Sequence, residues 1–505
     1  MTLLQTFERA LTWIDEYSIV GGGIVDTHKA RNSYPEVSGY FIPSLLQWGE
    51  REHAYSYGKW LLAAQQPDGS WLDASGKMGC MFDTGQVLRG LLALQALGFD
   101  TADAIPRACD WLCGKFRPNG SPEPPERVLW GAAIPDAIIL YILEPLRRAA
   151  QVYGREEWSD AAERCLCFFA EQEETTRFTC LSHFHAYILE ALYDLGRGDL
   201  AARGLKEVER LLHRDGTVPG ERDAGWWVCS TGLFQYAVIW YKLGDQVKAD
   251  RAFARAARLQ NKSGGWYGSY ARNWFFYLLR RLRLLKKPHY FRNAEISWAV
   301  KFFLDAFSLK LQSEFERQAP TFLDAIETDD GRYQLIRETI KREKSQTVLE
   351  AGCGKGRYLL NLAAELPSVR LQGMDIASAV MRKIPETIPT NVGTLLQMPF
   401  KDASFDLVYT AEALEHAVNI KGALREMLRV VRPGGIVIII DKNSANLNRS
   451  RLKLEPWEQW FSLDGLKQEL EDLGCEVTVA PNLCYEKKKK KDGLFAGWIA
   501  RKPSL

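Results

Sequence analysis

Two kinds of apolar pattern divide this chain. Through about residue 310, apolar positions recur at helical spacing, as in Trp60-Leu-Leu-Ala-Ala64, Val87–Leu97, Val208–Leu212 and Leu233–Leu243, and each such stretch predicts a helix with a buried face. Glycine-bearing turns separate them. These turns, at Gly21-Gly22-Gly23, Asp68-Gly69, Asn119-Gly120, Asp215-Gly216 and Gly264-Gly265, stand 48, 51, 96 and 48 residues apart. The doubled interval marks a missing turn near Glu171–Arg177, where Thr175-Thr176 stand without glycine. Six units of about 48 residues follow, each a helix pair around a turn, and six such pairs close naturally into a ring. The pattern predicts an all-α (α/α)6 toroid over residues 1–310.

Beyond Thr347 the pattern changes. Short apolar runs at Thr347–Ala351, Val369–Met374, about Asn391–Leu396, Phe405–Thr410, Ile436–Ile440, Cys475–Ala480 and Leu494–Arg501 predict strands. Helical spacing through Leu359, Leu360, Leu362 and Ala363, and again from Ile420 to Val431, places helices between them. This alternation predicts an α/β doubly wound, mostly parallel sheet over residues 346–505. Residues 311–345, with Pro320, the polar stretch Glu327–Arg332 and a helix to Lys344, read as a linker and a covering helix.

Length and composition support the division. A chain of 505 residues exceeds what one hydrophobic core serves. Hydrophobic residues at 46% and charged residues at 25% exclude disordered, collagen-like and disulfide-scaffold classes. A net charge of +2 carries no nucleic-acid footprint in bulk, so no nucleic-acid partner is expected. Of the 16 tryptophans, all but Trp457, Trp460 and Trp498 lie between Trp13 and Trp298, which marks two differently built domains. The ten cysteines lack the paired spacing of a zinc site, so reduced thiols and no metal are expected. No apolar run reaches the roughly 18 residues of a membrane span, and Met1–Val20 mixes Glu8, Arg9, Asp15 and Glu16 among its apolar residues; a cytoplasmic location is expected.

The chemistry of the second half concentrates at Gly352-Cys353-Gly354-Lys355-Gly356, between a predicted strand and a predicted helix. Glycines there let the backbone approach a ligand, and the helix start presents unpaired N–H groups. About 20 residues on, Asp375 closes the second strand, where a carboxylate accepts ribose hydroxyls. With Val348–Gly356, Asp375, Met398-Pro399-Phe400, Phe405–Tyr409, Ala413–His416 and Val431–Gly435 in this order, residues 320–505 resemble the class I S-adenosylmethionine-dependent methyltransferases of the small-molecule type. The resemblance implies a Rossmann-like fold with S-adenosyl-L-methionine as cofactor. It implies that Gly352, Cys353, Gly354 and Gly356 line the methionine portion, that Glu350 positions the amino group indirectly, and that Asp375 holds the ribose. Ile376, Leu395, Gln397 and Thr410 complete the implied cofactor set. The family often has an Asp before the Pro-Phe pair; here Thr394 stands there, which leaves backbone groups near Leu395 to meet the adenine. The family's covering helix brings Tyr333 and Arg337 toward the cofactor.

Methyl transfer to a hydroxyl requires removal of a proton. His416 is the only histidine of this half and follows the fourth strand, at the sheet end where ligands bind, so it is the candidate catalytic base. The plainer reading is that it caps or packs the following segment. Glu412 and Glu415 are weaker candidates.

In the first half, Gln66-Pro-Asp-Gly69-Ser-Trp71 and Gln260-Asn-Lys-Ser-Gly264-Gly-Trp266 resemble the turn repeat of α/α toroid enzymes such as terpene cyclases, a ring architecture shared with glycan lyases, uronate epimerases and glycoside hydrolases. Their Gln and Trp are read as structural. An Asp-x-Asp-Asp motif is absent, which argues against a terpene cyclase. Some 13–16 residues after each turn come polar residues in apolar surroundings: Tyr34-Pro35-Glu36, Asp83, Asp136, His183 with His185, Trp226-Trp227, and in the last unit Glu295 and Trp298. One phase of a repeat means one rim. Glu36, Asp83, Asp136 and His183, with Tyr40 and Trp226, are expected to form an aromatic-walled acidic pocket suited to sugar rings. The plainer alternative makes Asp83 and Asp136 helix caps.

These readings predict a methyltransferase acting on a small-molecule or sugar-containing acceptor, by O-methylation in polysaccharide or glycoconjugate biosynthesis. One alternative makes the toroid a glycan lyase, hydrolase or epimerase within a bifunctional enzyme. Another takes Lys487–Lys491 as a contact for a nucleic-acid or membrane-associated substrate. Flanking strands and Asp492-Gly493 favour a solvated hairpin tip instead.

Overall fold

The computed structural model describes residues 2–123, 134–282, 284–285, 290–447, 454–486 and 490–504. The chain forms two units, one of Gln5–Leu45 and Arg51–Lys310, the other of Thr2–Leu4, Leu46–Glu50 and Leu311–Leu505.

The first unit is helical. In chain order it contains α1 (Leu3–Tyr17), α2 (Pro35–Gln47), α3 (Arg51–Ala64), α4 (Met81–Gln95), α5 (Ala104–Cys113), α6 (Leu143–Tyr153), α7 (Glu156–Ala170), α8 (Ser182–Asp194), α9 (Gly198–Leu211), α10 (Ser230–Lys242), α11 (Gln246–Ala257), α12 (Trp274–Arg281) and α13 (Ser297–Gln318). The last of these runs on past Lys310 to Gln318, into residues read as linker. Strands β1 (Trp227–Cys229) and β2 (Ser269–Ala271) pair as a short antiparallel ribbon.

Helices of two kinds alternate. In α8 every residue from Ser182 to Leu192 is buried, and in α10 every residue from Ser230 to Tyr241. Their partners α9 and α11 bury only a stripe, such as Ala249, Ala252, Phe253 and Ala256 in α11. A helix apolar all round belongs inside, and a striped one outside. The glycine turns fix the spacing between them. Gly69, Gly120, Gly216 and Gly264 all have positive φ, from +84° to +103°. A Cβ at these positions would lie 2.5 Å from the carbonyl oxygen of Arg107 in α5, 2.2 Å from that of Arg164 in α7, 2.1 Å from that of Arg251 in α11, and 2.0 Å from that of Arg9 in α1. The last turn therefore seats on the first helix. At the turn without glycine, Glu173–Thr176 forms a 3-10 segment, and the glycine stands on the other side: a Cβ on Gly204 of α9 would lie 2.9 Å from Thr176 O.

Two turns are stapled alike. Gln65 Nε2 donates to Gly69 O and Ala104 O, and Gln260 Nε2 to Gly264 O and Thr6 O. Trp71 Nε1 reaches Leu61 O at 2.8 Å, and Trp266 Nε1 reaches Ala256 O at 2.9 Å. The stapling glutamine of the first turn is Gln65, four residues before its glycine as Gln260 is. Gln66, singled out from sequence, instead donates to Ala64 O.

The second unit holds a seven-stranded sheet in the order β5-β4-β3-β6-β7-β9-β8. Its strands are β3 (Thr347–Ala351), β4 (Arg370–Asp375), β5 (Thr390–Val392), β6 (Phe405–Ala411), β7 (Val431–Lys442), β8 (Glu476–Ala480) and β9 (Phe495–Arg501). β3 to β7 run parallel and β8 and β9 antiparallel, the mostly parallel Rossmann-like arrangement. Helices α14 (Gly331–Glu343), α15 (Arg357–Glu365), α16 (Ser378–Met381), α17 (Ile420–Val430) and α18 (Leu463–Asp472) accompany it. The core gathers Val348, Leu407, Ile436, Ile438 and Ile440 from the sheet with Ile336, Ile340, Leu359 and Leu362 from the helices.

The third strand is shorter than the expected run to Leu396. It stops at Val392 because Thr394 Oγ1 accepts from Gln397 N at 3.1 Å and closes a turn there. Chain order reverses between β3 and β6, and ligands of such sheets lie outside the strand carboxyl ends at that point. Lys487–Lys489 lie outside the described residues; Lys490 pairs with Tyr485 between β8 and β9. Among the described residues no helix is long and apolar enough to cross a membrane.

Candidate functional site

β3 delivers Glu350 and Ala351 to the sheet's carboxyl edge, where the chain breaks into the glycine loop. Gly352, Gly354 and Gly356 have φ of +80°, +52° and +76°. Gly352 N and Cys353 N donate to Met374 O on β4, and Gly354 N donates to Asp375 Oδ2 at 2.9 Å. Ala377 N donates to Asp375 Oδ1 at 3.0 Å, so backbone amides fix both carboxylate oxygens. Burial pushes the Asp375 carboxyl up, against those amides. Glu350 is fully buried behind the loop and accepts from Tyr409 Oη at 3.0 Å; burial pushes it up to about 8, with Tyr409 and Arg357 opposing.

The loop forms a cradle. A Cβ on Gly352 would lie 2.4 Å from Ala413 Cβ, whereas one on Gly354 would meet only a Phe322 ring carbon at 3.8 Å. The buried hydroxyl of Thr410, at the end of β6, has no hydrogen-bond partner. Open space before Gly354, a buried carboxylate fixed by backbone amides and an unsatisfied hydroxyl suit an amino-acid-bearing nucleoside such as S-adenosylmethionine. Ile376, half-buried, follows Asp375, and Leu395 and Gln397 lie in the turn closed by Thr394. The Thr394 hydroxyl is spent on that turn.

Residues that sequence reasoning passed over frame the cradle. Lys355 Nζ donates to Phe322 O at 2.6 Å and to Pro320 O at 3.3 Å, tying residues 320–322 over the loop. Glu316, near the end of α13, accepts from Ser378 N at 2.6 Å and Ala379 N at 2.9 Å, capping α16 just after Asp375. Tyr333 and Arg337 are not there: Arg337 pairs with Glu365 at the far end of α15, and Tyr333 packs under Arg337. The helix α14 is present as expected, but only its first turn nears the loop, where Arg332 binds Glu412 at 2.7 Å. Glu412 also pairs with Arg357 and holds a left-handed φ of +58°, a strained setting fixed by two guanidinium groups. That pairing makes it a clamp.

His416 ends the 3-10 turn after β6. Its Nε2 lies 3.4 Å from Glu415 Oε1, its ring meets Phe315 edge-on at 5.3 Å between centroids, and its Nδ1 is buried without a partner. Glu415 is itself buried and bridged to Lys442; although burial works upward, His416 and Lys442 hold it down to about 2. Asp441, which accepts from Glu415 N at 3.0 Å, is pushed well up by burial and by Glu415.

In the helical unit, Glu36, Asp83, Asp136 and His183 all line one cavity of about 650 Å³. Tyr34 Oη donates to Asp83 Oδ2 at 2.6 Å. Burial pushes Asp83 up to about 7 and Glu36 well above the usual range, and each raises the other's cost of ionising. His183 Nδ1 bonds Gln235 Oε1 at 2.6 Å, and burial drives His183 down to about 3. Neither aspartate caps a helix: no side-chain cap bond closes α4, and Asp136 sits exposed at the start of a 3-10 segment. Tyr40 lies behind the lining and Trp226 beside the β1–β2 ribbon, neither on the cavity wall. Tyr187, Tyr290 and Trp298 supply the aromatic wall instead. Glu295 is turned away to Trp13 Nε1 and Asn261 Nδ2, both at 2.8 Å, because the last turn needs an acceptor there.

Residues 349–439 match the family of the methyltransferase domain. Norajmaline N-methyltransferase of Rauvolfia serpentina is 30% identical over 126 residues, 23% of this chain and 43% of that protein. Tocopherol O-methyltransferase of Arabidopsis thaliana is 31% identical over 138 residues, 25% of this chain and 39% of that protein. The chain thus spans less than half the length of either relative. A solved SAM-dependent methyltransferase from Archaeoglobus fulgidus, 16% identical, aligns over 34% of this chain and 94% of its own with a TM-score of 0.28. The glycine cradle therefore lies in a methyltransferase domain of the kind that uses S-adenosylmethionine.

Proposed function

We propose that this protein moves a methyl group from S-adenosylmethionine to a hydroxyl of a sugar-containing small molecule in polysaccharide or glycoconjugate assembly. The cradle carries the reading: left-handed glycines, Asp375 held by two amides, and the unsatisfied Thr410 hydroxyl, all at the switch point of the sheet. The cofactor supplies a methyl already activated on a sulfonium. Asp375 accepts the ribose hydroxyls, the 352–356 backbone and Cys353 line the methionine portion, and Glu350, through Tyr409, shapes its amino end. Ile376, Leu395 and Gln397 flank the base.

His416 takes the proton that the acceptor hydroxyl loses. The imidazole receives it, and Glu415, 3.4 Å from Nε2, supplies the charge that stabilises the imidazolium formed. The helical unit, read as an (α/α)6 toroid because successive turns seat on alternate helices and the last on the first, is assigned a sugar-binding role of its own. The ten free thiols support our reading of a reducing compartment, the cytoplasm.

Calorimetry with S-adenosylhomocysteine tests the cradle: binding to the full chain, lost in Asp375→Ala, is expected, and no heat with the intact protein overturns the reading. For the base, His416→Ala is expected to keep that binding and lose about 100-fold or more in transfer of labelled methyl to sugar acceptors. Unchanged turnover would remove His416 from the reaction.

A further inference from the structure

The cavity of the helical unit differs in chemistry between floor and mouth. Its floor holds buried Asp83, His183, Tyr187, Tyr290 and Trp298, and its mouth the exposed Arg117, Glu123 and Asp136. Three observations point to a ligand. Aromatic rings wall the floor, with the His183 ring parallel to Trp298 at 6.4 Å and 4.6 Å from Tyr187. With Gln235 Oε1 accepting from Nδ1, His183 Nε2 is left as an acceptor. A volume of about 650 Å³ suits a small molecule.

Charge narrows the class. Among the described residues, five carboxyl groups line the cavity, Glu36, Asp73, Asp83, Glu123 and Asp136, against the cations Lys115 and Arg117. Lys115 is already bound to Glu123 at 3.1 Å and lies over the Trp111 ring. Even with Glu36 and Asp83 both neutral, Asp73, Glu123 and Asp136 outnumber Lys115 and Arg117. We infer that this cavity binds a sugar ring that presents hydroxyls or an amine and carries no acidic group. The inference rests on reading the helical unit as sugar-binding. Hydroxyl donors meet Glu36, Asp83 and His183, the ring's C–H face stacks on the aromatic wall, and a uronate carboxylate is repelled.

The full chain, saturated with S-adenosylhomocysteine, is titrated by ligand-observed NMR at neutral pH with methyl glucoside, glucosamine and methyl glucuronide. The first two are expected to bind, the glucuronide about tenfold or more weakly than either, a gap of about 1.4 kcal/mol. Glu36→Gln and Asp83→Asn are each expected to lower glucoside affinity about tenfold while cofactor-product binding persists. Asp136→Lys, an exposed change that leaves the buried floor intact, is expected to narrow the gap severalfold. Glucuronide binding as tightly as glucoside overturns the charge assignment alone. Failure of all three sugars at about 10 mM, with S-adenosylhomocysteine still bound, overturns the sugar-binding reading and this inference with it.

Discussion

Both units depend on left-handed glycines, and for opposite reasons. In the helical unit a side chain is excluded because another backbone already fills its place: Gly216 and Gly264 press on carbonyls of α11 and α1. In the sheet unit, Gly354 has a similarly unusual backbone, but only a ring carbon 3.8 Å away would meet its Cβ. The turn glycines join helices, whereas Gly354 keeps room for a ligand. Positive φ alone distinguishes neither; what lies in front of the missing Cβ does.

Four experiments would sharpen or break this contrast. Gly216→Ala adds a methyl 2.1 Å from Arg251 O at a φ of +86°, and is expected to cost about 3 kcal/mol or more in denaturant unfolding followed by tryptophan fluorescence. A loss below about 1 kcal/mol would refute the close-contact role.

Buried carboxyls extend the comparison. Asp83 is raised from 3.8 to about 7, so the folded state holds its proton longer than the unfolded chain does. Its contribution is fully present below about pH 4 and is lost as pH rises through about 7, giving a decline of about 3 kcal/mol over that range that Asp83→Asn is expected to remove. Parallel stability–pH curves for the two proteins would contradict this. The Glu415 carboxyl, held down to about 2, works the other way: its contribution is present above its unfolded value of 4.5 and is lost as pH falls toward about 2.

Gly354→Ala is expected to cost only the backbone term in unfolding, about 1 kcal/mol, but to weaken S-adenosylhomocysteine about tenfold, or about 1.4 kcal/mol; intact affinity would make the open space incidental. The smallest effect belongs to Gly98, left-handed at +83° with nothing within 4 Å of its missing Cβ. Gly98→Ala is expected to cost only the backbone term, about 1 kcal/mol, and a cost equal to that of Gly216→Ala would erase the distinction between contact and conformation.

The sequence exposed what repeats or alternates. Strand periods of two and the spacing from Gly352 to Asp375 are local properties, so the parallel sheet and its carboxyl-edge loop could be read directly. Repeat phase likewise found Glu36, Asp83, Asp136 and His183, which share one cavity. Lys115 and Arg117 escaped notice because they stand in a turn, outside that phase. The covering segment was misplaced for a related reason: helical spacing predicts α14 but not which end faces the loop, and Phe315, Glu316 and Phe322 precede it in the chain. Gln65 and Gln66 are adjacent and identical in type, and the mark of the staple is the four-residue spacing to the glycine that Gln65 shares with Gln260. Glu412 looked like a possible base because sequence shows a carboxyl and not the two arginines that occupy it.

The turn at Thr175-Thr176 has a consequence for descent. There the glycine stands at Gly204, across the contact, and the turn itself has none. What a lineage must preserve is therefore the closeness of two backbones, and either partner can be the one that gives up its side chain. Two substitutions, the first adding a tolerated glycine and the second releasing the old one, carry the requirement from one segment to the other without an intermediate that fails to fold. Repeats of this kind can lose their visible signature while keeping their shape.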